Sequence, residues 1–177
     1  MSRIIALVPV GMVPAEHIAL VEPSVANTFA ADVVILSDLP LPADAHDRKR
    51  DQYLARAIID VLVLRKRSDW SRLLGIVAED LYAPHLNFMF GEADVERGIA
   101  VLSTARLRDE DHWNARVDVQ FRRRVATEAI HELGHTYRLG HCANPRCVMW
   151  FSNTLSETDR KGTDFCAAHQ AELARHL

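Results

Sequence analysis

The chain has 177 residues, about half of them apolar (49%), and a formal net charge of −3 from 21 Lys and Arg against 24 Asp and Glu. That length suits a single domain, or two closely packed lobes. The near balance of charge excludes an electrostatic drive toward nucleic acid or an anionic membrane, and no run approaches the roughly 18 apolar residues of a membrane span.

In chain order, Ile4 to Val10 reads as a buried strand. The first residues, MSRIIALVPVGMV, resemble a weak leader, but the run breaks at Pro14, Glu16 and His17, and its composition suits a strand better. A monomer in the cytoplasm, with no nucleic acid or membrane as partner, is the expectation. Pro14 to Phe29 reads as a helix disturbed by Pro23, and Asp32 to Leu36 as a second strand. After the turn-rich segment Leu39 to Asp47, an amphipathic stretch from Asp47 to Arg65 reads as one long helix. Strands are expected at Leu73 to Ala78, Asn87 to Phe90 and Ile99 to Leu102. The last strands are joined by links too short for helical crossovers, which makes the fold α/β (α+β) with a mixed sheet.

A further helix is expected from Ala115 to Arg138, its run Arg122, Arg123 and Arg124 forming a solvated face rather than a phosphate site. From 141 to 164 the chain is rich in Cys, Asn, Pro, Ser, Thr and Gly, a length of loop that needs an organising element. Phe165 to His176 reads as a short final helix capped by Thr163 or Asp164. A sheet-containing lobe to about residue 135 and a small irregular lobe over 136–177 follow from this.

The stretch HELGHTYRLGHC covers residues 131–142. His131 and His135 are one helical turn apart on the same face, so both can reach one zinc ion. The apolar stripe Ala126, Ile130, Leu133 and Tyr137 points elsewhere, leaving the histidines free to face a cleft. Neutral imidazoles bind zinc, the metal lowers the pKa of water to about 7, and Glu132 stands where a general base is needed. A chance pair of histidines on a polar face is the plain alternative. Continuing the helix would carry His141 about 15 Å along the axis from His131, so sharing a metal demands a sharp turn after His135.

Cys142, Cys147 and Cys166, the three cysteines of the chain, join His169 in a C-x4-C and C-x2-H pattern. This suits a closed tetrahedral structural zinc site. Buried thiols, or a Cys142–Cys147 disulfide, are the competing readings. Glu128 and Arg124 lie near the face of His131, and a surface salt bridge between them is expected ahead of any role beside the ligands. His17, His46, His85, His112 and His176 show no ligand spacing and are read as surface or core residues.

The segment 131–142 resembles H-E-x-x-H-x-x-G-x-x-H, the zinc signature of metzincin peptidases, with Arg138 in place of the glycine. With CVM at 147–149 and the closing CAAH, it is similar to the archaemetzincin family. RDQY (50–53), EDLYAPHLNFMFGEA (79–93), AVLSTARLR (100–108) and VMWFSNTLSETDRKGTDFC (148–166) extend that likeness over most of the chain.

The resemblance implies a metzincin-like fold, with a mixed twisted sheet, packed helices including an active-site helix, and a small zinc-stabilised C-terminal lobe. It implies two zinc ions: a catalytic one on His131, His135 and His141 with Glu132 as base, and a structural one on Cys142, Cys147, Cys166 and His169. The fourth structural ligand is usually cysteine. Met149 becomes the methionine of the turn beneath the metal, and Asn87, Phe88, Met89, Phe90 and Gly91 the edge strand along which a peptide or small-protein substrate lies. Trp150 and Phe151 are expected to pack around the cysteine loop. The activity implied is hydrolysis of peptide bonds; the alternatives are an inactive zinc-stabilised scaffold and a hydrolase of a non-peptide amide. Either Arg138 or Gly140 must take a left-handed conformation for the chain to turn.

Overall fold

The computed structural model describes residues 3–108 and 115–177. Its elements are β1 (Ile4–Val10), α1 (Ala15–Phe29), β2 (Asp32–Ile35), β3 (His46–Asp47), β4 (Gln52–Leu54), α2 (Ala55–Val63), β5 (Arg72–Val77), β6 (Leu81–Tyr82), β7 (Gly91–Asp94), β8 (Ile99–Ser103), α3 (Ala115–Thr136), α4 (Leu155–Arg160) and α5 (Ala167–Leu173). The main sheet has the order β2-β1-β5-β8-β7. Its first four strands are parallel, and β7 closes one edge antiparallel to β8.

Alternation along the strands splits the core in two. Ile5, Leu7, Leu74, Ile76, Ala100 and Leu102 pack with apolar residues of α1 and α3, such as Val21, Val25, Val125 and Leu133. Ala6, Val8, Leu73, Val77, Ile99 and Val101 pack with Ile58, Ile59 and Leu62 of α2. Burial on both faces is why these strands read as unbroken apolar runs. Helix α1 continues through Pro23, because Ile18, Val21, Val25 and Phe29 on both sides of the proline are held in the same core. Among the described residues no helix is long and apolar enough to cross a membrane.

Three expectations about the elements need correction. The stretch Asp47 to Arg65 is helical only over α2: Asp51 has φ 52°, and Tyr53 donates its amide to Asp80 as β4 pairs with β6. The edge strand is not Asn87 to Phe90 but Gly91–Asp94, so Gly91 alone of the five residues belongs to it. The preceding segment is engaged by the small β3-β4-β6 sheet instead: the Met89 amide donates to Leu81, and the Asn87 carbonyl accepts from Gln52 Nε2 (2.8 Å) and Arg50 Nη2 (2.9 Å). Finally, α5 begins at Ala167 with Cys166 at its N-cap, not with Thr163 or Asp164.

The irregular segment 141–164 contains α4. Thr154 Oγ1 accepts the Glu157 amide, and the Glu157 carboxylate accepts the Asn153 amide, which closes the first turn. Val148, Met149, Phe165 and Leu173 join the same cluster as Ile5 and Leu7, so the C-terminal lobe shares the main core.

Candidate metal centres and active-site cleft

Helix α3 buries Phe121, Val125, Ala129, Ile130 and Leu133, with Tyr137 buried just past its end, and turns His131, Glu132 and His135 toward a cleft. Its end is a two-bond turn: the Leu139 amide donates to Gly134 (3.2 Å) and the Arg138 amide to His135 (2.9 Å). Arg138, at φ 66°, is the left-handed residue that this turn requires, and Gly140 is not. The turn brings the chain back, so that the His141 ring centroid lies 5.5 Å from that of His131 and 4.8 Å from that of His135. One ring nitrogen from each histidine falls within 4.8 Å of the others.

The geometry fits a metal. His131 Nδ1 donates to the Val148 carbonyl and His135 Nδ1 to the Leu139 carbonyl, each at 2.8 Å. Both protons are thereby fixed on Nδ1, and the two Nε2 lone pairs face each other at 3.1 Å. A tetrahedral ion with Zn–N bonds of about 2.05 Å separates its nitrogens by about 3.3 Å. Burial pushes the pKa of His131 well below the usual range, and the Lys161 ammonium, 3.3 Å from Nδ1, adds to this by charge. His135 and His141 are lowered chiefly by burial as well. Each shift favours the neutral imidazole that a metal ligand must be.

Glu132 is buried at the floor of a cleft of about 660 Å³. Burial, and then the Glu128 charge, push its carboxyl up to about 8 in the absence of a cation, while Lys161 opposes the shift. The strand β7 runs directly over it. A Cβ on Gly91 would lie 2.5 Å from Glu132 Cγ and 2.6 Å from the Val101 carbonyl, so only glycine lets edge strand and glutamate meet. Phe88, Met89 and Phe90 line the same cleft, whereas Asn87 is outside its lining. Gly134, between the two helical histidines, leaves room for buried Met149: a Cβ there would sit 2.6 Å from its Sδ.

Lys161 and Glu128 were not legible as a pair. Both are buried, and Nζ donates to Glu128 Oε1 at 2.8 Å beneath His131. The expected Glu128–Arg124 bridge does not form, and Arg122 to Arg124 is not a uniformly solvated face: Arg124 is buried and makes a two-pronged pair with Asp159 at 2.7 Å, and Arg123 donates to the Thr158 and Lys161 carbonyls. Phe151 packs on His141 (4.9 Å between centroids) at the cleft rather than around the cysteines.

The second cluster joins Cys142, Cys147, Cys166 and His169, with all ligand atoms within 4.8 Å of one another and all three thiols free. Cys142 Sγ is 3.9 Å from Cys166 Sγ, and His169 Nδ1 is 3.4 Å from Cys166 Sγ and 3.7 Å from Cys147 Sγ. Zn–S bonds of about 2.3 Å give S–S separations near 3.8 Å and S–N separations near 3.5 Å, so this set also fits. The Cys142 amide donates to the Met149 carbonyl at 2.9 Å, which ties the two clusters to one strip of chain. His17, His46, His85 and His176 enter neither cluster; His112 lies outside the described residues.

Residues 34–175 match the model of peptidase family M54. The archaemetzincin of Methanopyrus kandleri is 47% identical over 137 residues, 77% of this chain and 74% of that protein. The archaemetzincin of Pyrococcus furiosus is 37% identical over 184 positions, 100% of this chain and 95% of that protein. Among solved structures, the Methanopyrus kandleri archaemetzincin superposes with a TM-score of 0.85 at 38% identity, covering 99% of this chain and 96% of that one. The Archaeoglobus fulgidus archaemetzincin, complexed with malonate, gives 0.81 at 33% identity, covering 96% and 99%. From its histidine turn to its cysteine cluster, the chain belongs to peptidase family M54, the archaemetzincins.

Proposed function

We propose that the chain is a zinc-dependent peptidase with Glu132 as general base, holding one zinc at His131, His135 and His141 and a second at Cys142, Cys147, Cys166 and His169. The observation that carries this reading is the convergence of three histidine nitrogens beside a buried glutamate at the free edge of a sheet. One relative, from Methanocorpusculum labreanum, is described as a zinc-dependent peptidase.

When bound at the histidines, zinc supplies Lewis acidity and lowers the pKa of water to about 7. The chain's residues do the rest. The free edge of β7 offers amides and carbonyls to an extended peptide. Glu132, which a cation held at the three histidines would keep ionised despite its burial, takes a proton at its carboxylate from the attacking water and gives it to the leaving amine. The Val148 and Leu139 carbonyls hold two imidazoles in the binding tautomer, and Met149 supports the helix from below at Gly134. The cysteine cluster, with four protein donors, has no open position for substrate and serves structure.

The test is digestion of a peptide library by zinc-loaded wild type and by Glu132→Gln. The expected outcome is cleavage by the wild type, at least about 100-fold slower turnover in the variant, and equal zinc content in both. A zinc-loaded Glu132→Gln that cleaves at the wild-type rate refutes the mechanism, and two loaded, inert proteins point to a scaffold.

A further inference from the structure

We propose that Arg138 gives the cleft a preference for substrates with a carboxylate placed two to four residues from the scissile bond, on the side facing Val95. This rests on the peptidase reading above. Arg138 lines the cleft together with Ala93, Val95 and the histidines, and among the described lining residues it is the only lysine or arginine. Its backbone sits at φ 66°, where an L side chain is strained and glycine is not. A strained non-glycine residue at a cleft is a reason to ask what its side chain does there.

The path of β7 sets the distance. At Gly91 the strand abuts Glu132, and it then runs through Asp94 to Val95 and Glu96. The Arg138 guanidinium meets that far end, with Nη2 donating to Glu96 Oε1 at 3.0 Å. An extended peptide advances about 3.3 Å per residue along such an edge. A substrate side chain two to four residues beyond the reacting bond therefore reaches Arg138.

Charge sets the preference. Glu132 and Glu128 are buried under the histidines, and Glu128 is engaged by Lys161. Behind the cleft, Arg138 shares a polar recess with Arg72, Arg97 and His176; Glu96 is the only carboxylate among its described lining residues, Arg97 is engaged by Asp94 at 2.7 Å, and the other cleft carboxylate, Glu92, lies on β7 nearer Gly91. The partner Glu96 is 77% exposed and Arg138 57% exposed, so their bond is weak and exchangeable. A substrate carboxylate can replace it with a two-pronged contact on the guanidinium. The shared chemistry is a carboxylate, whether an Asp or Glu side chain or a free C-terminus.

Binding of peptide hydroxamates to the zinc-loaded protein tests this without requiring turnover. One series carries the hydroxamate at the C-terminal end of a capped tetrapeptide, the other at the N-terminal end, so that each fills one side of the cleft. In each, the positions two to four residues away hold Glu, Gln or Lys, and the second series is made with free and amidated C-termini. In one series, Glu or a free C-terminus should bind about 2- to 5-fold more tightly than its neutral counterpart. Arg138→Gly should abolish the difference, and Arg138→Glu should reverse it in favour of Lys. Equal binding of Glu, Gln and Lys in both series, or an acidic preference that survives Arg138→Glu, overturns the proposal. Hydroxamates that fail to bind protein of verified zinc content overturn the peptidase reading, and this proposal with it.

Discussion

The imidazole Nε2 of His169 lies 3.2 Å from the carbonyl oxygen of Gly140, the residue immediately before His141. Since His169 Nδ1 faces the thiols of Cys147 and Cys166, the ring proton sits on Nε2 and is donated to that carbonyl. A member of the cysteine cluster thus holds the peptide that presents the third histidine. Cysteine at this position would keep a tetrahedral donor set but lose the hydrogen bond. His169→Cys should still take up two zinc equivalents, yet release the more labile one to a chelator about 10-fold more readily; His169→Ala should hold only one tightly. Identical release curves for wild type and His169→Cys would show that the bond contributes nothing.

The buried Lys161–Glu128 pair makes a second prediction. Removing one charge leaves the other buried without its counter-charge, a larger loss than the pair's own net contribution. Lys161→Met should lower the unfolding free energy by about 3–5 kcal/mol in urea titrations, whereas adding Glu128→Leu should recover most of it. A double variant no more stable than Lys161→Met would mean that Lys161 acts through other contacts.

The parts legible in the sequence were those set by local period and ligand chemistry. The β1 and β8 runs, the α3 stripe and the His131/His135 pair could be read because 3.6-residue spacing depends on near neighbours, and Cys/His identity marked the residues that the structure gathers into the second cluster. The left-handed turn could be narrowed to two residues, and its bonds to Gly134 and His135 then select Arg138. The edge strand was displaced by four residues because long-range partners, Leu81, Gln52 and Arg50, capture Met89 and Asn87. Lys161 was invisible for a similar reason: it lies in a segment without period, and only the fold brings it to Glu128, 33 positions away.

His17 offers a pH prediction distant from the metal clusters. It is buried against Phe121, and Nδ1 lies 3.0 Å from Thr104 Oγ1. Burial lowers its pKa, with Glu16 opposing and Arg108 assisting. A depressed folded pKa means that the unfolded chain takes up a proton first. The stability His17 contributes is therefore present above pH 6.5 and lost as pH falls below it. Between pH 7.5 and 5.5, His17→Phe should lose less unfolding free energy than wild type. Parallel losses in the two proteins would exclude His17 as the source.

Gly134→Ala probes the contact beneath the helix. Alanine is the better helix former by up to about 1 kcal/mol, but its Cβ would come 2.6 Å from Met149 Sδ and 3.3 Å from Phe165 Cε1. Met149 is fully buried, so its thioether must re-pack against its neighbours, on a strip whose Val148 carbonyl holds His131 and whose Met149 carbonyl holds the Cys142 amide. Overpacking of this kind costs about 1–3 kcal/mol, so the net effect is destabilising. Gly134→Ala should therefore unfold at lower urea and release zinc more readily to a chelator, and Gly134→Ala with Met149→Val, which shortens the obstructing side chain, should regain stability. If Gly134→Ala matches or exceeds the wild type in both measurements, helix propensity outweighs the contact and Met149 does not support the histidines through Gly134.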